Sequence, residues 1–290
     1  MKQKIFENFI HGIFLITGLI TIAAVLVISG YLVISGLPAI SEIGLINFLF
    51  GKEWKPTGTN PSYGILPFIL TSIYGTCGAI LIGAPIAILS AVFLAKVAPK
   101  KINVFFVSGI SLLAGIPSVV YGLVGMLVLV PFVRDIFNLS DGASLFSAII
   151  VLSIMIYPSI VKISLDALDA VPKEYEEASL ALGATKIETF FRVSIPAAKS
   201  GITASVVLGV GRAIGEAMAV MMVSGNVANM PNLFESVRFL TTAVASEMSY
   251  ASGLQRQALF SIALVLFVFI MLINASLNLF MKKDKKENNK

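Results

Sequence analysis

The chain has 290 residues, of which 57% are hydrophobic and only 13% charged, with a formal net charge of +5. An ordinary soluble domain carries about 25% charged residues and a disordered chain is poor in apolar ones, so this composition argues against a soluble enzyme and excludes an unfolded segment. A single Cys (Cys77) and a single His (His11) exclude a disulfide framework and a His-based metal cluster.

Asp, Glu, Lys and Arg are absent between Glu7 and Glu42, Lys55 and Lys96, Lys101 and Arg134, Asp141 and Lys162, and Arg256 and Lys282. Each run supplies the roughly 20 apolar residues with which a helix crosses about 30 Å of hydrocarbon. A sixth run, from Ser200 to Ser224, contains Arg212 and Glu216. The expected architecture is an all-α membrane protein with one domain over 1–290 and spans at 10–36, 66–95, 104–133, 144–164, 200–224 and 257–281. Lys2 and Lys4 precede the first run as they would a secretory leader. Its apolar stretch continues to Gly36, beyond the roughly 7–15 residues of a leader's core, so a retained span is expected. Pro85 and Pro117 predict kinks, tilt or a break in the second and third spans.

Basic residues orient the bundle. With the N-terminus inside, the inside segments hold 15 of the 21 Lys and Arg and the outside segments hold 5, with Arg212 inside a span. Both termini are therefore expected in the cytoplasm, and Lys282 to Lys290 form a charged tail that retains the C-terminus there. This edge-of-span placement points to membrane orientation, not to nucleic-acid binding.

The first long outside connection, 37–65, carries Trp54, Tyr63 and a turn-rich stretch from Lys55 to Pro61. The second, 225–256, carries Glu235, Arg238, Glu247 and Arg256. Two readings are open for both: a docking surface for an external protein, or solvated loops with interfacial aromatic anchors. In the third span, Ser118 and Tyr121 either bond an oxyanion or satisfy backbone groups freed by Pro117.

The cytoplasmic connection at 165–199 is expected to hold two short helices. Pro172 with Glu174, Glu176 and Glu177 suits a helix N-terminus, and Gly183 would end that helix. Thr185 and Glu188 have the spacing of a capping box for a second helix, which Pro196 would close.

In the fifth span, Arg212 sits near the centre, where an Arg costs about 2.5–3.5 kcal/mol on insertion scales. Glu216 follows four residues later. Either the two neutralise each other, or Arg212 lines the path of an anion and Glu216 holds or releases it; a guanidinium suits oxyanions through its planar fork. Gly201, Ser205, Gly209, Ala213 and Ala217 form a stripe of small residues, with Gly211 and Gly215 beside it. Such a stripe packs against the chain's own bundle or against a second membrane chain.

The stretch Glu177-Ala178-Ser179, then Gly183, Val193 and Ile195-Pro196, resembles the coupling motif of bacterial ABC importer permeases. Ser179, Val193 and Ile195 are mild departures from it. Gly211-Arg212-Ala213-Ile214-Gly215-Glu216-Ala217-Met218 and Ile116-Pro117-Ser118-Val119-Val120-Tyr121-Gly122 resemble the phosphate permeases of that group, more closely those of the PstC type than of the PstA type. The resemblance implies a type I importer permease fold in a bacterial cell membrane, working by alternating access. It implies a heterodimer with a second, PstA-type permease, two copies of an ATPase subunit that bind ATP and Mg, and an external phosphate-binding protein. Glu177, Ala178, Gly183 and Pro196 carry over as ATPase-coupling residues, and Arg212 and Glu216 as residues of the substrate path. No cofactor and no catalysis are expected on this chain, which has no Gly-x-x-x-x-Gly-Lys-Ser/Thr phosphate loop. The rival readings are a permease for another oxyanion such as molybdate or a phosphonate, a secondary transporter driven by an ion gradient, and a membrane scaffold or sensor.

Overall fold

Inside hydrocarbon every backbone N–H and C=O must find its partner within its own segment, so the charge-free runs fold as helices. The computed structural model describes residues 2–287, with side chains described at 7 and over 9–276. The side chains of Lys2, Lys4, Lys282, Lys283, Lys285 and Lys286 lie outside that description, and Lys290 lies outside the described residues.

In chain order, α1 (Lys2–Ile43) and the short α2 (Leu45–Phe50) lead to a hairpin of β1 (Trp54–Lys55) and β2 (Ser62–Tyr63), antiparallel with Trp54 opposite Tyr63. Helix α3 (Leu66–Val92) ends in a π-helical turn, Phe93–Val97, followed by α4 (Lys100–Ala114). Next come α5 (Ser118–Val124), a second π turn (Gly125–Leu129), α6 (Val130–Phe137) and α7 (Leu145–Asp169). The cytoplasmic segment holds α8 (Lys173–Ala181), α9 (Lys186–Thr189), a third π turn (Phe190–Ser194) and α10 (Ile195–Ala197). Then follow α11 (Lys199–Gly215), α12 (Met218–Val223), α13 (Leu240–Glu247) and α14 (Gly253–Glu287).

Among the described residues five helices are long and apolar enough to cross a membrane, and the sixth candidate is a pair bent by 68° between α10 and α11. The region expected as one third span, 104–133, is two helices. Pro117 has no N–H to donate and disfavours helical backbone at Ile116, so α4 stops and a new helix starts at Ser118. The crossing segment is Ser118–Phe137. At 15 residues, α4 is about 22 Å long, short of the hydrocarbon thickness. Pro85 acts differently: α3 runs through it without a break. The fifth span is also divided, because the helix stops at Gly215 and restarts at Met218.

Helix α7 is the centre of the main core, with α3 on one side and α11 on another. Helices in lipid gain nothing from leaving water and associate through close packing and polar contacts. Gly83 brings α3 so near α7 that an added Cβ would stand 3.0 Å from the Ser153 carbonyl oxygen, and one at Gly209 would stand 2.8 Å from Ile160. The hydroxyls of Ser164 and Ser205 share a hydrogen bond of 2.8 Å between α7 and α11, of a kind worth about 0.6–1.7 kcal/mol. Helix α1 is exposed along most of its length and packs on α14 through Gly36, whose carbonyl accepts a bond from the Ser261 hydroxyl.

A second core lies on the outer side, where Phe48, Trp54, Tyr63, Ile65 and Phe68 pack with α13 and the start of α14. Trp54 is only 6% exposed, so it is a core residue and not a lipid-interface anchor. Its ring meets Tyr63 edge-on at 5.7 Å and Phe68 at 5.6 Å. Burial raises the Tyr63 hydroxyl above its usual pKa, and the nearby Glu42 carboxylate adds to the effect.

Candidate functional site

The cytoplasmic segment is built by local chemistry. Pro172 stands immediately before α8, and Glu174 and Glu176 occupy its first turn, where carboxylates oppose the helix dipole. Gly183 then takes a φ of +87°. The Gly183 N–H bonds the Leu180 carbonyl at 3.0 Å and the Ala184 N–H bonds the Ser179 carbonyl at 3.2 Å, the two bonds of a Schellman cap. No atom lies within 4 Å of an added Cβ there, so the backbone conformation alone demands glycine. Thr185 and Glu188 close the expected capping box: the Thr185 hydroxyl accepts from the Glu188 N–H at 3.3 Å, and the Glu188 carboxylate accepts from the Thr185 N–H at 2.9 Å. The bonds that its carboxylate accepts from the Thr185 N–H and the Thr185 hydroxyl, both at 2.9 Å, hold the Glu188 carboxyl below the usual range.

Helix α8 buries none of its side chains. Glu177 and Ala178 are exposed, and Leu182 just beyond the helix is 90% exposed. Glu177 makes no side-chain hydrogen bond or ion pair among the described residues. Pro196 lies in α10, two residues before the bend at Ala198; the helical path turns there and does not simply end. Glu176, read from the sequence only as an acid of the first helical turn, anchors the segment. The Glu176 carboxylate accepts from Lys96 Nζ at 2.6 Å and from the Ser194 hydroxyl at 2.8 Å. Beside it, the Ser179 and Thr189 hydroxyls share a bond of 2.9 Å. Burial works to raise the Glu176 carboxyl, but the bonds from Lys96 and Ser194 and the charges of Lys96 and Lys173 outweigh it and hold it below its usual range.

In the membrane, Arg212 and Glu216 are not paired. Arg212 Nη1 donates to the Ser159 hydroxyl on α7 at 2.8 Å. Glu216 has extended backbone (φ −74°, ψ 126°), so the one-turn spacing of a continuous helix is lost after Gly215. The Glu216 carboxylate accepts from the Ala219 N–H at 3.0 Å and so satisfies a free donor of α12, while its carbonyl accepts from the Thr241 hydroxyl at 2.8 Å. Among the described residues no carboxylate pairs with Arg212, and most of its five donors are unused by them.

The Tyr121 hydroxyl donates to the Leu113 carbonyl at 2.8 Å and so satisfies a backbone group beside the break at Pro117. The small stripe divides. Gly201, Ser205 and Gly209 pack on α7, whereas a Cβ at Gly211 or Gly215 would meet nothing within 4 Å.

The outer side holds a site that the sequence did not disclose. Glu247 accepts from the Trp54 indole at 3.2–3.3 Å, from Gln255 at 3.0 Å and from Arg238. Arg238 also donates to the Asn226 carbonyl at 2.8 and 3.0 Å and stands 5.8 Å from the Phe68 ring centre. Arg238 and Glu247 are therefore not solvated loop charges. They tie both outside connections together.

A family model described as binding-protein-dependent transport system inner membrane component matches residues 83–283. A probable ABC transporter permease protein, YqgH, of Bacillus subtilis (strain 168) is 43% identical over 235 residues, covering 79% of this chain and 76% of its own. The phosphate transport system permease protein PstC of Pasteurella multocida (strain Pm70) is 34% identical over 265 residues, covering 84% and 82%. Among solved structures, a chain of a bacterial alginate ABC transporter, in complex with a periplasmic protein bound to alginate pentasaccharide, superposes with a TM-score of 0.63 at 18% identity over 94% of each chain. An inward-facing MetNI methionine ABC transporter gives 0.57 at 18% identity, over 76% of this chain and 94% of that one. These two likenesses concern the fold.

Proposed function

This chain belongs to the family of binding-protein-dependent transport system inner membrane components, and from that premise we propose that it is the permease subunit of an ATP-driven importer of inorganic phosphate. The observation that carries the substrate is the run of relatives named phosphate transport system permease protein PstC, 33–34% identical over about four fifths of this chain. On this reading the chain performs no catalysis. ATP and Mg bind an ATPase subunit, present in two copies, and a second permease of the PstA type completes the path. An external phosphate-binding protein delivers the anion.

The geometry supports a division of labour. An unneutralised, half-buried guanidinium attracts an oxyanion and can donate two parallel hydrogen bonds to it. Ser159 keeps that group oriented without cancelling its charge. The break at Glu216–Ala217 holds the carboxylate away; a continuous helix would bring Glu216 one turn from Arg212, where it competes with the anion. Straightening and breaking this segment is then a way to release and bind phosphate. On the cytoplasmic side the exposed α8 presents Glu177 and Ala178 to the ATPase, Gly183 shapes the end of the knob, and Pro196 stands at the bend that leads into the fifth span.

The test is anion competition in liposomes that hold this chain with its native partners, ATP on the ATPase side and the binding protein on the other. The expected result is ATP-dependent uptake of labelled phosphate that excess molybdate or phosphonate leaves unchanged. Uptake that follows one of those anions instead would keep the importer and replace the substrate. Uptake that ignores ATP and collapses with the ion gradient would overturn the reading.

A further inference from the structure

Helix α8 must receive force from a partner and deliver it to the membrane, yet it buries no side chain of its own. Apolar packing therefore does not attach it firmly, and its polar contacts do. Glu176 faces away from the exposed Glu177–Ala178 surface and reaches two separate spans at once: Lys96 at the cytoplasmic end of α3, at 2.6 Å, and Ser194 at the foot of the fifth span, at 2.8 Å. Lys96 and Glu176 are both largely withdrawn from solvent, with side chains 13% and 21% exposed, and Ser194 is fully buried. Screening by water and salt is weaker for such groups than for an exposed ion pair.

Both anchor residues lie on single π-helical turns, Lys96 on Phe93–Val97 and Ser194 on Phe190–Ser194. A π turn leaves one residue out of step with the helix, and such turns concentrate at functional sites. Here the first is held by the Ala98 N–H bonding the Phe93 carbonyl at 2.8 Å, with Asn103 donating to the Leu94 carbonyl at 2.7 Å.

We infer that Lys96, Glu176 and Ser194 form the mechanical link through which motion of the coupling helix reaches α3 and α11, with Glu176 as its positioning residue. This rests on the permease reading above and adds to it the route of transmission. Glu177 meets the ATPase; its neighbour Glu176 holds the membrane. Two spans then move with α8 as one body instead of the fifth span alone.

The assembled transporter, with its ATPase and binding protein, tests this in two ways. In a Cys77→Ser background, which removes the exposed native thiol, spin labels at Val97→Cys and Glu174→Cys, both exposed positions, report the distance between the end of α3 and α8. The link predicts one unchanged distance with and without ATP, and a distance that changes with ATP once Lys96→Met is added. Phosphate carried per ATP hydrolysed should fall about tenfold in Lys96→Met and Glu176→Gln, within the usual span of coupling between sites. The exchanged pair Lys96→Glu with Glu176→Lys should regain most of it, and the amount of co-purified ATPase should not change. A distance that shifts with ATP in the unmodified complex overturns the link. So does Lys96→Met with both distance and ratio unaltered, or a loss of bound ATPase that accounts for the whole defect. If no phosphate is carried but the distances behave as stated, the substrate reading fails and the link stands.

Discussion

The outer and cytoplasmic sides of this protein use the same pairing of a carboxylate with a cation to opposite ends. On the outer side Glu247 is a keystone. Its side chain is 8% exposed and takes bonds from Trp54, Arg238 and Gln255, which belong to three different segments, inside a core of aromatic rings. On the cytoplasmic side Glu176 is a tether. It holds a helix that buries nothing, and the rest of that helix is left open. Remove the keystone and a core loses its centre; remove the tether and a surface element loses its direction. The difference teaches where rigidity is needed. On the proposed function, an outer platform that meets a binding protein is packed as a domain interior, whereas a helix pushed by an ATPase is fastened at few points.

Four changes would break or sharpen that contrast. The largest effect is expected from Glu247→Ala, which leaves Arg238 charged and the Trp54 indole unpaired within a core. Breaking such a buried pair costs about 3–5 kcal/mol, and thermal unfolding in detergent should show it as a clear loss of stability. Next, Arg212→Ala should slow phosphate uptake roughly 30-fold or more, as for the loss of a buried charge partner, while unfolding temperature and bound ATPase stay near normal. A drop in stability that matches the drop in uptake would make Arg212 part of the packing instead of the path.

A smaller effect follows from Gly183→Ala. A non-glycine residue in left-handed backbone costs roughly 1–2 kcal/mol, and here nothing else opposes the methyl group. Coupling of ATP hydrolysis to uptake should weaken before global stability does. The smallest effect is expected from acid. Glu176 and Glu188 titrate below the ordinary value of 4.5. A lowered carboxyl contributes stability that is complete above its unfolded pKa and lost only as pH falls through the folded one. The distance between labels at 97 and 174 should therefore be the same at pH 7 and pH 5, and should change only below about pH 4.5.

Much of this was legible along the chain, because the physics involved is local. Absence of charge marks a span, Pro117 forces a break, and the pattern Thr185–Glu188 names a capping box. Gly183 could be read as a helix stop because only its backbone conformation matters there. The rest depends on contacts between distant segments. Ser159 lies 53 positions from Arg212, and no spacing rule connects them. Trp54 is 193 positions from Glu247, so an aromatic residue near a span end reads as an interfacial anchor until the fold buries it. The pairing of Arg212 with Glu216 assumes an unbroken helix, and the helix stops at Gly215 because the chain turns there to place Glu216 over α12.

The central claim is that an exposed cytoplasmic helix on this chain converts ATP hydrolysis elsewhere into phosphate movement. Its most direct test is labelled phosphate uptake into liposomes carrying the complete transporter, with the unmodified chain and with Glu177→Arg compared at equal amounts. The account predicts ATP-dependent uptake in the first and its loss in the second, with Arg212 and the outer core unaffected. Equal uptake in both would contradict it.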